Sequence, residues 1–253
     1  MHALQDTLLL FRRSVRHTFR SPEILIGITI SPIMFVLMFR YVFGGAINIP
    51  GFDYVDFLMP GIFVQTLAFG ALTTAISLAY DLEKGIVERF FTLPMSRSAI
   101  ITGRTFADGL RAIFTVIVMV IVGIVVGYTP SGGFGDWLLA AAIMLLFCFA
   151  ISWVGAIVAL LVPNVEALQQ ITFIVILPLT FLSSAFVATE TMPDGLRQFA
   201  ENQPVTVVVN AVRALTNGMD PGNDVQVALV WCIGILAVAM PTASLLFRRM
   251  GSR

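Results

Sequence analysis

Six stretches of this chain are long and apolar enough to form a helix across a bilayer. The hydrocarbon layer is about 30 Å thick and takes about 20 apolar helical residues. The stretches are 24–43, 57–80, 109–128, 137–162, 168–187 and 225–247. Backbone groups facing lipid must be satisfied within their own segment, so the runs are expected to be helices and not open strands. Composition agrees: 58% of the 253 residues are hydrophobic and 12% are charged. Soluble chains carry about a quarter charged residues. So few ionisable groups cannot cover a water-facing surface. The expected fold is an all-α integral membrane protein, with residues 1–253 as a single domain of six transmembrane helices.

Six is an even number, so both termini are expected on one side, and the basic residues say which. Arg12, Arg13, Arg16, Arg20, Lys84, Arg89, Arg97, Arg104, Arg111, Arg248, Arg249 and Arg253 fall on one face, against Arg40, Arg197 and Arg213 on the other. Short loops rich in Lys and Arg stay in the cytoplasm. The termini and the loop 81–108 are therefore expected inside, and 44–56, 129–136 and 188–224 outside. In residues 1–22, Leu4, Leu8, Phe11, Val15 and Phe19 recur at helical spacing beside Arg12, Arg13 and Arg16. A basic amphipathic helix of this kind is expected to lie in the cytoplasmic interface. The segment 188–224 is long for a loop. It holds apolar pieces too short to span, so short helices re-entering the outer leaflet are expected.

The chemistry missing from the sequence narrows the function. The two histidines, His2 and His17, precede the first span, so no span offers a histidine base or metal ligand. Cys148 and Cys232 lie far apart in apolar runs and resemble no metal or disulfide framework. Glu23, Arg40, Asp56, Asp81, Asp108 and Arg111 are expected at or near span ends, which disfavours an ion-driven carrier with mid-membrane charges. The dipeptide Gly-Lys never occurs, which excludes a phosphate-binding loop of the Walker A type. Net charge is zero, and nucleic acid is not an expected partner. If transport is active, a second polypeptide must supply the hydrolysis.

The cytoplasmic loop carries the most specific pattern. After the second span it reads Glu83-x-Gly85-x-x-Glu88-Arg89-x-x-x-x-Pro94-x-Ser96-Arg97. Ile86, Val87, Phe90, Phe91 and Leu93 form its apolar side, and Pro94 ends any helix begun before it. This pattern resembles the signature of type-2 ABC transporter permeases, the family that includes daunorubicin-resistance-type drug exporters. Ile86 stands where the family commonly has Thr. The order of Pro178-Leu-Thr-Phe-Leu-Ser183, Met192-Pro193, Asn202-Gln-Pro204-Val-Thr206 and Ala211-Val-Arg213-Ala-Leu215 is similar to the family's second half, so the resemblance covers nearly the whole chain.

The resemblance implies an arrangement. Two permease copies, identical or paralogous, sit in the bacterial inner membrane and pair with two ABC ATPase subunits. ATP and Mg are bound by the ATPases and no cofactor by this chain, which is then not itself an enzyme. The N-terminal interfacial helix and a coupling helix in 81–108 dock on the ATPases, which marks Glu83, Gly85, Glu88, Arg89, Pro94, Arg12 and Arg16 as coupling residues. The family places spans two and five at the dimer interface. Gln65, Thr73, Ser77, Phe173, Thr180, Phe181 and Ser183 are the candidate path residues on that basis, although hydroxyls in spans usually serve helix packing. The implied function is ATP-driven efflux of a hydrophobic or amphiphilic compound such as a drug, antibiotic or lipid. Export of a lipid-linked polysaccharide and a non-transport scaffold or sensor role are the alternatives, since fold does not fix substrate.

Overall fold

The computed structural model describes residues 22–44, 53–85, 97–162 and 164–250. The interfacial helix expected in the first 21 residues and the 86–96 part of the coupling loop lie outside the described residues. Every regular element among the described residues is helical: α1 (Pro22–Leu37), continued by a π-helical turn Met38–Phe43, α2 (Tyr54–Glu83), α3 (Arg97–Val126), α4 (Phe134–Leu161), α5 (Val165–Phe181), a 3₁₀ turn Thr189–Thr191, α6 (Asp194–Asn202), α7 (Pro204–Thr216) and α8 (Asp224–Met250).

Among the described residues, four helical stretches are long and apolar enough to cross a bilayer: Tyr54–Glu83, Phe106–Val126, Phe134–Leu161 and Asp224–Phe247. Shorter apolar helical stretches cover Thr29–Val42, Val165–Phe181 and Pro204–Thr216. The chain is a multi-pass membrane protein.

Local chemistry sets the helix ends. Asp53 starts α2 by accepting a hydrogen bond from the Val55 amide at 3.3 Å, and Asn164 starts α5 by accepting from the Glu166 and Ala167 amides. Each satisfies donors that a helix start leaves open. Pro204 occupies the first position of α7, where its missing N–H costs nothing. At the other end of α2, Gly85 adopts φ +64°, the left-handed conformation that stops a helix.

Two expected boundaries move. The span expected over 168–187 is helical only to Phe181. Ser183 Oγ donates to the Thr180 carbonyl and accepts from the Ala185 amide, while Gln203 Nε2 donates to the Leu179 and Leu182 carbonyls. The last carbonyls of α5 are thus answered by side chains, and the chain turns. At its start, the span expected from residue 109 already lies inside α3, which begins at Arg97. Asp108 and Arg111 are therefore well within a helix and not at its end.

The central helix is α4, which packs against α2, α8, α3 and α7. It is apolar on every side, as befits a helix surrounded by others or by lipid. One core cluster gathers Leu58, Phe63, Tyr128, Phe147, Val208 and Val212 among others. A second joins Leu78, Trp153, Leu168 and Phe247. Ile113, Ile117, Ile121 and Ile124 of α3 stay exposed, as do Val230, Ile233 and Val238 of α8. Apolar faces of this extent belong against lipid or another subunit.

The end of the molecule formed by the start of α2, the 182–188 turn and α7 is held by polar contacts. Gly61 of α2 meets the 182–188 turn so closely that a Cβ there would collide with the Ala185 carbonyl. Arg213 of α7, 6% exposed, donates from Nε to the Phe57 carbonyl at 3.0 Å, from one terminal nitrogen to Asn210 Oδ1 at 3.1 Å and from the other to the Ser184 carbonyl at 2.6 Å. Its guanidinium also lies 3.7 Å from the Phe57 ring centre. Asp56 accepts from the backbone and the hydroxyl of Thr129 at 2.8 and 2.9 Å, and Asn217 links the Asp56 carbonyl to the Tyr128 hydroxyl. On α6, Arg197 Nε donates to Glu201 Oε1 at 2.6 Å. That partner raises the Arg197 pKa above its ordinary value.

Candidate functional site

A cavity of about 560 Å³ opens between α1, α2, α3 and α5, with Cys148 of α4 at its back. Its size falls within the range of small-molecule sites, which are mostly apolar with a few polar groups. Phe35 of α1, Phe69 of α2, and Phe173 and Phe181 of α5 supply aromatic wall. The Phe69 and Phe173 ring centres are 6.1 Å apart, at a tilt of 56°. Phe181 continues into Phe186 at 5.0 Å, and Phe186 stacks on Phe39 at 4.4 Å, so an aromatic seam leads from the cavity toward the 182–188 turn.

The polar part is built by α2 and α3. Asp108 and Arg111 sit one turn apart on α3 and pair at 3.1 Å. The Arg111 guanidinium also reaches across to donate to the Gly70 carbonyl of α2. A turn further along α3, the Thr115 hydroxyl donates back to the Arg111 carbonyl at 2.9 Å, and on α2 the Thr73 hydroxyl donates to the Gly70 carbonyl at 2.7 Å. These hydroxyl hydrogens are spent on backbone, as is common for Thr in membrane helices. Gln65 lines the cavity and is 2% exposed. Its Nε2 has no hydrogen-bond partner among the described residues.

The candidate path residues divide. Gln65, Thr73, Ser77, Phe173 and Phe181 line this cavity. Thr180 and Ser183 do not. Both are fully buried and turned to backbone: the Thr180 hydroxyl donates to the Ile176 and Leu177 carbonyls, and Ser183 closes the α5 end. Of the coupling residues, Glu83 ends α2 exposed and Gly85 follows it in the left-handed turn. Arg12, Arg16, Glu88, Arg89 and Pro94 lie outside the described residues. Among the cavity residues that sequence reasoning missed are Asp108, Arg111 and Thr115. Asp108 and Arg111 both lie near the start of the apolar stretch Phe106–Val126, as expected of charges near span ends, although α3 itself begins earlier, at Arg97. An acid and a base at i and i+3 on an otherwise apolar helix was the available signal.

The ABC-2 type transporter family model matches residues 5–216. The chain belongs to the ABC-2 type transporter family. Relatives agree: it is 33% identical to the daunorubicin resistance ABC transporter permease protein of Streptomyces coeruleorubidus over 227 residues, covering 90% of this chain and 80% of the relative. It is 26% identical to a probable doxorubicin resistance ABC transporter permease protein of Mycobacterium tuberculosis, covering 96% of this chain and 88% of the relative. Identity is 20% to an inner membrane transport permease of Escherichia coli, over 83% of this chain and 81% of the relative. This chain is therefore a membrane permease of an ABC exporter, in a family whose members work with an ABC ATPase. In this permease the cavity sits on α2 and α3, the two helices that flank the loop carrying the family pattern.

Proposed function

We propose that this permease forms the path for ATP-driven efflux of a hydrophobic or amphiphilic compound across the bacterial inner membrane, with hydrolysis at a separate ATPase that binds ATP and Mg. On this reading the functional unit holds two permease copies and two ATPases. Each permease has six spans, with α1 and α5 as the first and fifth and both termini cytoplasmic. The drug resistance named for the actinobacterial relatives supports an amphiphilic drug-like cargo. Residues 1–22 lie along the inner interface with Arg12 and Arg16 toward the ATPase. The coupling segment presents Glu88 and Arg89, with Gly85 and Pro94 marking its ends and Glu83 beside it at the end of α2.

The supporting observation is the continuity of α2. Its 30 residues make a rod of about 45 Å at 1.5 Å per residue. The rod carries Gln65, Thr73 and Ser77 on the cavity wall and ends at Glu83 and Gly85. A push on the loop from a closing ATPase dimer thus reaches the cavity through one helix, giving a two-state element biased from outside.

The test is the double substitution Glu83→Lys with Glu88→Lys in the assembled complex. The protein is expected to insert and the ATPase to keep hydrolysing, while efflux is lost. Wild-type efflux in the double variant would sink the proposal. Copurification of an ATPase with the wild-type permease, and stimulation of its hydrolysis by an exported amphiphile, check the pairing directly.

A further inference from the structure

Resting on the export reading above, we propose that Gly70 is the joint at which α2 bends when the loop is pushed, and that Arg111 of α3 is a positioning residue that braces this joint through the Gly70 carbonyl. Packing puts a boundary there. Leu67 and Ala68 of α2 belong to the first core cluster, and Ala75, Leu78 and Ala79 to the second. Two other helices are divided in the same way. The buried side chains of α4 join the first cluster up to Cys148 and the second from Trp153, and those of α8 change over between Cys232 and Ala239. By contrast, α3 gives Ala112, Met119 and Val126 to the first cluster and, among the described residues, none to the second. Between the two clusters α2 borders the cavity with Phe69, Gly70 and Thr73. Close-packed interiors resist deformation, so a tilt of one core against the other concentrates where neither packs.

Local chemistry weakens the same turn. Glycine is a poor residue for a helix interior, and packing does not call for it here. Apart from its own helix, the nearest atom to a Cβ built on Gly70 is Arg111 Nη2 at 3.8 Å, an ordinary contact. The Gly70 carbonyl is also claimed by two side chains: the Thr73 hydroxyl donates to it at 2.7 Å, and Arg111 donates to it from α3. Side-chain donors that crowd a helix carbonyl loosen the backbone ladder and favour a bend.

Arg111 decides which way the joint is held. Its guanidinium pairs with Asp108 on α3 at 3.1 Å, and α3 is packed into the first core alone. The Arg111–Gly70 bond therefore ties α2, at its weakest turn, to the core farther along the helix from the loop. A push at Glu83 and Gly85 then tilts the 71–83 part of α2 with the second core. The joint yields beside the cavity wall, so a displacement of the loop becomes a change in cavity shape.

The experiment measures ATP-driven uptake of ethidium, a fluorescent amphiphile, into inverted membrane vesicles that hold the permease with its ATPase, with hydrolysis followed in parallel. Gly70→Ala fits without collision, so the complex should assemble and melt no lower than wild type. Its maximal uptake rate should nevertheless fall about fivefold, the full helix preference of alanine over glycine set against the bend, while the KM for ethidium stays where it was. Arg111→Met should leave hydrolysis running and cut the ethidium moved per ATP about tenfold, the worth of a hydrogen bond from a charged group. Arg111→Lys should keep most of the coupling, since an ammonium has separate protons for Asp108 and for the carbonyl. Adding Gly70→Ala to Arg111→Met should recover part of the loss, because a stiffer helix stands in for the missing brace. Wild-type maximal uptake in Gly70→Ala overturns the proposal, as does a change confined to KM, which would make Gly70 a guest contact only. A double variant worse than either single one also overturns it, since independent damage adds. If Arg111→Met fails to assemble, the rate and KM of Gly70→Ala decide alone. Those outcomes leave the export reading standing. A wild-type complex that retains no ATPase, or that hydrolyses ATP and takes up no ethidium, overturns both.

Discussion

Arg213 shows how much one side chain decides. It sits in an apolar helix and is nonetheless buried, with its fork spread over the Phe57 and Ser184 carbonyls and Asn210. Three elements, the start of α2, the 182–188 turn and α7, meet on it. Arg213→Met should lower stability by about 3 kcal/mol or more, since it leaves buried acceptors unanswered, and Arg213→Lys should not restore it, because an ammonium cannot span the same fork. Denaturant titration in detergent measures both, and a lysine variant as stable as wild type would contradict the fork argument. Gly61 is the steric counterpart. Gly61→Ala places a methyl group against the Ala185 carbonyl, and overpacking against backbone should cost about 2 kcal/mol. The check is a lower melting temperature, and an unchanged one would show that the turn yields.

At the scale of elements, α6 and α7 differ in what covers them. Val207 and Val209 of α7 are buried within the protein, so a label there reports packing and says nothing of membrane depth. Leu196 and Phe199 of α6 are 45% and 51% exposed, one turn apart, with the Arg197–Glu201 pair elsewhere on the helix. Such a short amphipathic helix suits a membrane surface. A cysteine at Leu196 is expected to react slowly with a membrane-impermeant maleimide in vesicles and quickly in detergent. Equal rates would place α6 in water and remove the interfacial reading.

At the scale of the molecule, the exposed isoleucines of α3 and the exposed Phe173, Ile174 and Val175 of α5 leave wide apolar surface for lipid or another subunit. The six-span orientation predicts that a phosphatase fusion after Gly85 is inactive and one after Gly195 is active, since that reporter needs the periplasm. The reverse pattern would invert the topology and detach the loop from any cytoplasmic ATPase.

The apolar runs of span length and the biased distribution of arginine determined the membrane class and the expected orientation, because both follow from transfer of single segments between water and lipid. The loop pattern from Glu83 to Arg97 pointed to the family, since it is a local string of residues. The early end of α5 was not legible, because it depends on Gln203 folding back to the Leu179 and Leu182 carbonyls. Nor was the cavity. Gln65, Thr73 and Ser77 could be named as polar positions in spans, but so could Thr180 and Ser183, and only packing separates those facing open space from those bonded to their own backbone. Asp108 and Arg111 read as charges near the start of the third span, where the stretch Phe106–Val126 keeps them, but their place on the cavity wall was not legible. Burial of a charge depends on neighbours distant in sequence, here Gly70 of α2, and that information exists only once the helices are assembled.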